Sequence, residues 1–113
     1  MAVPSVNIQI EKGTDFSSTF TVKKKDSSVL NLTPYSFSAK MRKHAEASGY
    51  VGFAATYGND ATQGNLTISL TDTQTGIITA GRYEYDVIIT NLNNGSKTKI
   101  FAGQALVNSS LAV

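Results

Sequence analysis

Between Gly81 and Thr90 the apolar residues Tyr83, Tyr85, Val87 and Ile89 fall at every second position, with Arg82, Glu84, Asp86, Ile88 and Thr90 between them. Side chains of a β-strand alternate between the two faces of its sheet, so this period is that of a strand with one face buried. The same pattern recurs along the chain in short segments bounded by Gly, Asn, Asp or Ser. That is how antiparallel sandwiches are written. The sequence predicts an all-β fold, a seven-stranded antiparallel sandwich forming one domain over residues 1–113, with one short helical turn near residues 72–79.

The expected strands are Val6 to Ile10, Phe16 to Val22, Tyr35 to Lys43, Tyr50 to Tyr57 and Leu66 to Leu70, followed by two that flank Asn94-Gly95. In the third, Tyr35, Phe37, Ala39 and Met41 share the core face, leaving Ser36, Ser38, Lys40 and Arg42 outside. Thr71-Asp72-Thr73-Gln74-Thr75 supplies capping residues for one helical turn that would carry Ile77 and Ile78 to the core and cross between sheets. Asn-Gly is the strongest short hairpin signal. A two-residue loop at Asn94-Gly95 pairs Val87 with Ala102 inside and sets Ile88 beside Phe101 outside, with Lys97 and Lys99 in solvent. A three-residue loop would invert that parity.

Composition narrows the function. No cysteine is present, which removes disulfides, a thiolate nucleophile and cysteine-ligated metals, so the core alone must hold the chain. The formal net charge of +2 is too small for a phosphate-tracking surface, and nucleic acid is disfavoured as a partner. The start, MAVPSVNIQIEKG, has no basic region followed by an apolar one, and no run approaches a membrane span; synthesis in a cytosol without export or a membrane is the expectation.

Candidate chemistry is sparse. Glu84 and Asp86 share a strand face about 7 Å apart by the two-residue rise, a spacing a glycosidase pair can use. A flat outer strand face with ordinary surface charges is the simpler account. His44 stands alone and cannot assemble a metal site without further ligands. No phosphate-binding loop or nucleophile elbow occurs, so no enzyme and no cofactor are expected. Lys23, Lys24 and Lys25 read as a solvated turn. Lys40, Arg42, Lys43 and His44 form a second basic cluster and read as the outer face of a strand; in the functional alternative both basic clusters meet acidic patches on a partner protein. Tyr50, Phe53 and Tyr57 are either packing residues or a sugar-stacking platform. The expected partner-binding residues are Ile88 and Phe101, as an outward cross-strand apolar pair, with Lys40 and Arg42.

Leu66-x-Ile68-x-Leu70, a polar corner, and Ala80-Gly81-Arg82-Tyr83-Glu84-Tyr85 resemble the E and F strands of immunoglobulin-like sandwiches. In that fold a corner tyrosine bonds back to the backbone just upstream, two residues before an inward position. The resemblance assigns the corner to Tyr83 and the inward position to Tyr85. Departures are the absence of a Cys pair and of Trp, and a longer corner.

The segments IEKGTDFSSTFTV, LNLTPYSFSAKMRK, GNLTISLTDTQTGIITAGRYEYDVIIT and GSKTKIFAGQALV together resemble small virion structural proteins of tailed bacteriophages, cyanophage-like viruses among them. N-terminal domains of baseplate proteins are more loosely similar. The resemblance implies a non-enzymatic particle component, made in the host cytoplasm and located in the virion. Its partners would be other virion structural proteins and, by virion symmetry, further copies in a homo-oligomer. It leaves capsid, neck, tail, baseplate and fibre open, and the ends MAVPSV and NSSLAV are expected to reach onto neighbours as arms. The alternative is a carbohydrate-binding module for host attachment.

Overall fold

The computed structural model describes residues 5–24, 28–43, 49–57 and 61–110; His44, part of the lysine run and the outermost residues of both expected arms lie outside them. Among the described residues seven strands form: β1 (Ile8–Glu11), β2 (Phe16–Thr21), β3 (Tyr35–Arg42), β4 (Val51–Tyr57), β5 (Asn65–Leu70), β6 (Gly81–Asn91) and β7 (Lys97–Asn108). A 3-10 turn over Ala61–Gln63 precedes β5, and the helix α1 (Asp72–Gly76) follows it. The expected strand alternation holds in β3, β5 and β6.

The sheet order is β1-β7-β6-β3-β4-β5-β2. β4 belongs to two layers: Val51 to Phe53 pair with β3, whereas Ala54 to Tyr57 pair with β5. The edge strands β1 and β2 approach each other, so the sheet curls into a barrel-like closure. It is mixed, not antiparallel. β1 runs parallel to β7, with Ile8 opposite Ala105 and Ile10 opposite Val107. The chain then turns at Gly13 and enters β2 in the other layer.

Ile10, Leu32, Met41, Leu66, Ile68 and Val87 are fully buried between the layers. Aromatic rings bridge them: Phe20 of β2 stacks on Phe101 of β7 at 4.6 Å, and Phe53 meets Tyr85 edge-on at 6.3 Å. Tyr83 occupies the corner the resemblance assigned to it, its hydroxyl donating to the Thr79 carbonyl at 2.7 Å. Tyr83→Phe should cost about 1 kcal/mol, the net worth of one such bond, measured by urea unfolding with an unchanged m-value.

The capping box at α1 forms as its sequence requires: the Gln74 backbone N–H donates to Thr71 Oγ1, and the Thr71 N–H to Gln74 Oε1. Thr75, fully buried, accepts from the Gly13 N–H at 3.0 Å and donates to the Thr14 carbonyl at 2.8 Å. One hydroxyl thus ties α1 to the β1–β2 turn. Thr75→Val keeps the shape and orphans both backbone groups, so a loss of about 2 kcal/mol is expected in the same assay. Ile78 enters the core, but Ile77 is 83% exposed. Ile77 is the C-cap residue of α1 and points outward while Ile78 turns in behind it, which corrects the expected burial of the pair.

The hairpin turn also departs from expectation. The Asn91 N–H bonds to the Ser96 carbonyl and the Gly95 N–H to the Asn91 carbonyl, so residues 92–95 make the turn in place of a two-residue Asn94-Gly95 loop. Gly95 takes a φ of +75° there. Farther along, Ile88 opposes Lys99 but Val87 opposes Phe101, a bulge that leaves Ile100 without an opposite number. The extra residue reverses the parity of β7. Phe101 therefore turns into the core, 7% exposed, and the outward Ile88–Phe101 pair does not form.

Candidate functional site

The outer face of β3, β6 and β7 carries an open groove of about 540 Å³. Strand register builds it. Lys40 lies opposite Asp86, and Arg42 opposite Glu84, so cations on β3 face carboxylates on β6 in two successive rows. From β7, Lys99 reaches Asp86 at 3.4 Å. Small residues, Ala102 and Gly103, form the floor, while Asn7 and Gln104 close the far wall. The Gln104 N–H donates to Asn7 Oδ1 at 3.1 Å, which fixes the amide at the rim. Cross-strand pairs of opposite charge contribute about 0.2–1 kcal/mol each, and exposed ion pairs less. Their value is a patterned charge surface, not stability.

At one end of this strip Tyr50, half exposed, lies under two of its cations, with Lys40 Nζ 4.3 Å and the Arg42 guanidinium 4.9 Å from the ring centre. Lys43 Nζ sits 4.5 Å from the Tyr83 ring. Cation–π contacts of this kind hold long flexible side chains in place and keep their charges at the surface.

Lys40 and Arg42 are thus brought together in one site. Ile88 is half-buried on the same face, opposite Lys99, whereas Phe101 is absent from it because of the bulge. Glu84 is exposed and Asp86 is engaged by Lys99, and neither is enclosed by apolar walls as a general acid of a glycosidase must be. Among the described residues no three His, Asp or Glu side chains converge as metal ligands. Of the proposed aromatic platform, Phe53 is buried while Tyr50 and Tyr57 are exposed at opposite ends of β4. At about 3.3 Å per residue the stretch between them spans up to about 23 Å, far beyond one sugar ring. Tyr57 in addition packs edge-on against Phe37.

Sequence reasoning did not foresee that Glu84, Asp86 and Lys99 would share a groove with Lys40 and Arg42. The signal was the common outward parity of β3 and β6, which needed only the knowledge that these two strands are neighbours.

Below the groove, Tyr85 passes beneath Gly103, its cross-strand partner, and donates its hydroxyl to the Val6 carbonyl at 2.5 Å. Burial pushes the Tyr85 phenol up from 10.0 to about 12. An acid whose ionisation is harder in the folded state favours folding below its unfolded pKa. That contribution is present below pH 10.0 and lost as pH rises toward about 12. Alkaline titration followed by circular dichroism should show stability falling across this window, and Tyr85→Phe should flatten the fall.

No protein-family model matches the sequence, and no curated protein sequence does. Solved structures are similar in fold. One is InlP of Listeria monocytogenes, 11% identical with a TM-score of 0.52, covering 93% of this chain and 26% of that one. Another is the NK cell receptor Nkp44, described as a triggering partner in natural cytotoxicity, 15% identical with a TM-score of 0.50, covering 92% and 98%. A family 123 glycoside hydrolase from Clostridium perfringens is 10% identical with a TM-score of 0.43, covering 97% and 24%. The chain spans about a quarter of the length of InlP. At these identities the first two likenesses concern the fold alone, and the third is too loose to bear on it.

Proposed function

We propose that the chain is a non-catalytic docking module of immunoglobulin-like type, a structural component of a tailed-bacteriophage particle that binds neighbouring virion proteins through the outer face of β3, β6 and β7. The observation that carries docking is the charge lattice of the groove, with Lys40 and Arg42 facing Asp86 and Glu84 in register and Lys99 beside them. Alternating charges on a rigid sheet select a complementary partner surface and its orientation, and suppress mismatched ones. The phage assignment rests on the resemblance of the four sequence segments, and the immunoglobulin-like assignment on the Tyr83 corner. The parallel β1 is a departure from the expected antiparallel arrangement.

The carbohydrate reading draws on the exposure of Tyr50 and Tyr57. It is the weaker one, because the two rings do not share a platform and Tyr50 already has two cations over its ring.

The double variant Lys40→Glu with Arg42→Glu tests docking. Both side chains are on the outer face, so the variant should fold, with some loss of melting temperature because it sets like charges opposite Asp86 and Glu84. It should be taken up into particles at least about tenfold less, and Lys40→Gln with Arg42→Gln, which creates no like-charge row, should lose uptake too. Uptake equal to wild type in particles assembled from variant and wild type in competition would exclude this face.

A further inference from the structure

β4 changes layers at Phe53, and the change leaves a gap. Val51 to Phe53 pair only with β3, and β5 takes up the strand from Ala54 onward. Among the described residues, the second backbone edge of Val51 and Gly52 therefore has no strand partner. Gly52 leaves the sheet face beside that edge uncovered; a Cβ there would touch only the Tyr50 ring, at 4.0 Å.

Where β5 would have continued, the chain forms α1 and swings toward β6. Between that corner and the open edge lies a cavity of about 380 Å³, walled by Tyr50 and Gly52 on one side and Gln74, Ile77 and Thr79 on the other, with Tyr83 behind. Ile77 is 83% exposed and Tyr50 54% exposed. Single exposed apolar residues are ordinary. These two line one cavity, beside an unpaired strand edge.

Among its described residues the cavity lining holds no charged side chain, and the charges placed directly over its two rings are cations. Lys40 and Arg42 lie over the Tyr50 ring and Lys43 over Tyr83. Among the described residues, the carboxylates nearby are Glu84 and Asp86 on β6, opposite Arg42 and Lys40, and Asp72 and Asp15 at the start of α1, where Asp15 accepts from the Asp72 N–H.

We propose that this gap is a strand-addition site for an extended segment of a partner protein carrying an apolar residue flanked by acidic ones. The segment pairs its backbone with the Val51–Gly52 edge. Its apolar side chain enters between Tyr50 and Ile77, and its carboxylates meet Lys40, Arg42 and Lys43. Backbone pairing of this kind supplies affinity for any extended chain, and the pocket for alternate side chains supplies selectivity. The proposal deepens the docking reading and rests on it only in taking the partner to be a protein.

Selection of a random peptide display library on the purified chain tests it. An enriched peptide is then synthesised, and its affinity measured by fluorescence anisotropy against wild type, Ile77→Asp and Lys43→Glu. Both side chains are exposed, so both variants should fold, which their melting curves check. The expected result is enrichment of acidic peptides with a central apolar residue, bound at least about tenfold more weakly by Ile77→Asp and more weakly by Lys43→Glu. Their binding should slow hydrogen exchange at whichever of the Val51 and Gly52 amides points away from β3. The proposal is overturned if no peptide is enriched, if the enriched peptide binds Ile77→Asp as well as wild type, if protection appears instead at the β1 or β2 edge, or if a glycan array gives the only ligand at these residues. A chain that is found in particles but selects no peptide loses this site alone. A chain that binds peptide but is missing from particles keeps the site and loses the virion reading.

Discussion

Phe101→Ala is expected to destabilise the protein by about 3–5 kcal/mol, the cost of removing a large buried aromatic from a core that closes only in part around the space left. Phe101 is 7% exposed and stacks on Phe20 at 4.6 Å with its ring tilted by 28°. The contact joins β7 to β2, strands from different layers, so its loss weakens the attachment between them. For a domain of this size the melting temperature should fall by more than about 10 °C. Had Phe101 faced solvent beside Ile88, truncation would cost within about 0.5 kcal/mol and would show only in partner binding. Thermal unfolding of the isolated chain therefore separates a core residue from an interface residue without any partner in hand. Ile88→Ala, at a half-buried outer position, should have much the smaller effect.

Gly103→Val should cost about 3 kcal/mol or more, beyond ordinary overpacking because the obstacle is backbone. A Cβ at Gly103 would overlap the Val6 carbonyl oxygen and come within 2.7 Å of its carbon. Neither atom can rotate away. The Val6 N–H bonds to the Ala102 carbonyl at 2.9 Å and the Val6 carbonyl accepts from Tyr85, so the segment leading into β1 is clamped at the point where the new side chain would enter. The variant must push Val6 off β7, which breaks both bonds and strains the parallel β1–β7 ladder that begins at Ile8. Hydrogen exchange should accelerate at the β1 amides before those of β3 and β6. Because Tyr85→Phe removes one of the same contacts, the double variant should lose less than the sum of the single losses.

Much of this was legible locally. The face assignment of β3 follows from period two alone, and the outer placement of Lys40 and Arg42 comes with it. The capping box at Thr71 and Gln74 and the corner hydroxyl of Tyr83 depend on residues within a few positions of each other, so their chemistry can be read from the chain directly. The features that escaped depend on distant partners. Nothing near Ile8 announces a parallel pairing with Ala105, 97 positions away in the chain. The bulge at Ile100 is set by what Phe101 gains against Phe20, a contact between the second strand and the last. The division of β4 between β3 and β5 likewise has no local mark, and it creates the cavity beside Tyr50 and Ile77. Ile77 and Ile78 are equally apolar. Only the direction in which the chain leaves α1 sends one to the core and the other to solvent.

Quantitative mass spectrometry of nuclease-treated phage particles purified from infected cells that express this chain tests the proposed docking role most directly. The account predicts the intact chain in the particles, at a copy number fixed relative to the major virion proteins and unchanged by high-salt washing of adventitious protein. Particles that lack the chain, while the infected cell contains it in soluble form, would contradict it.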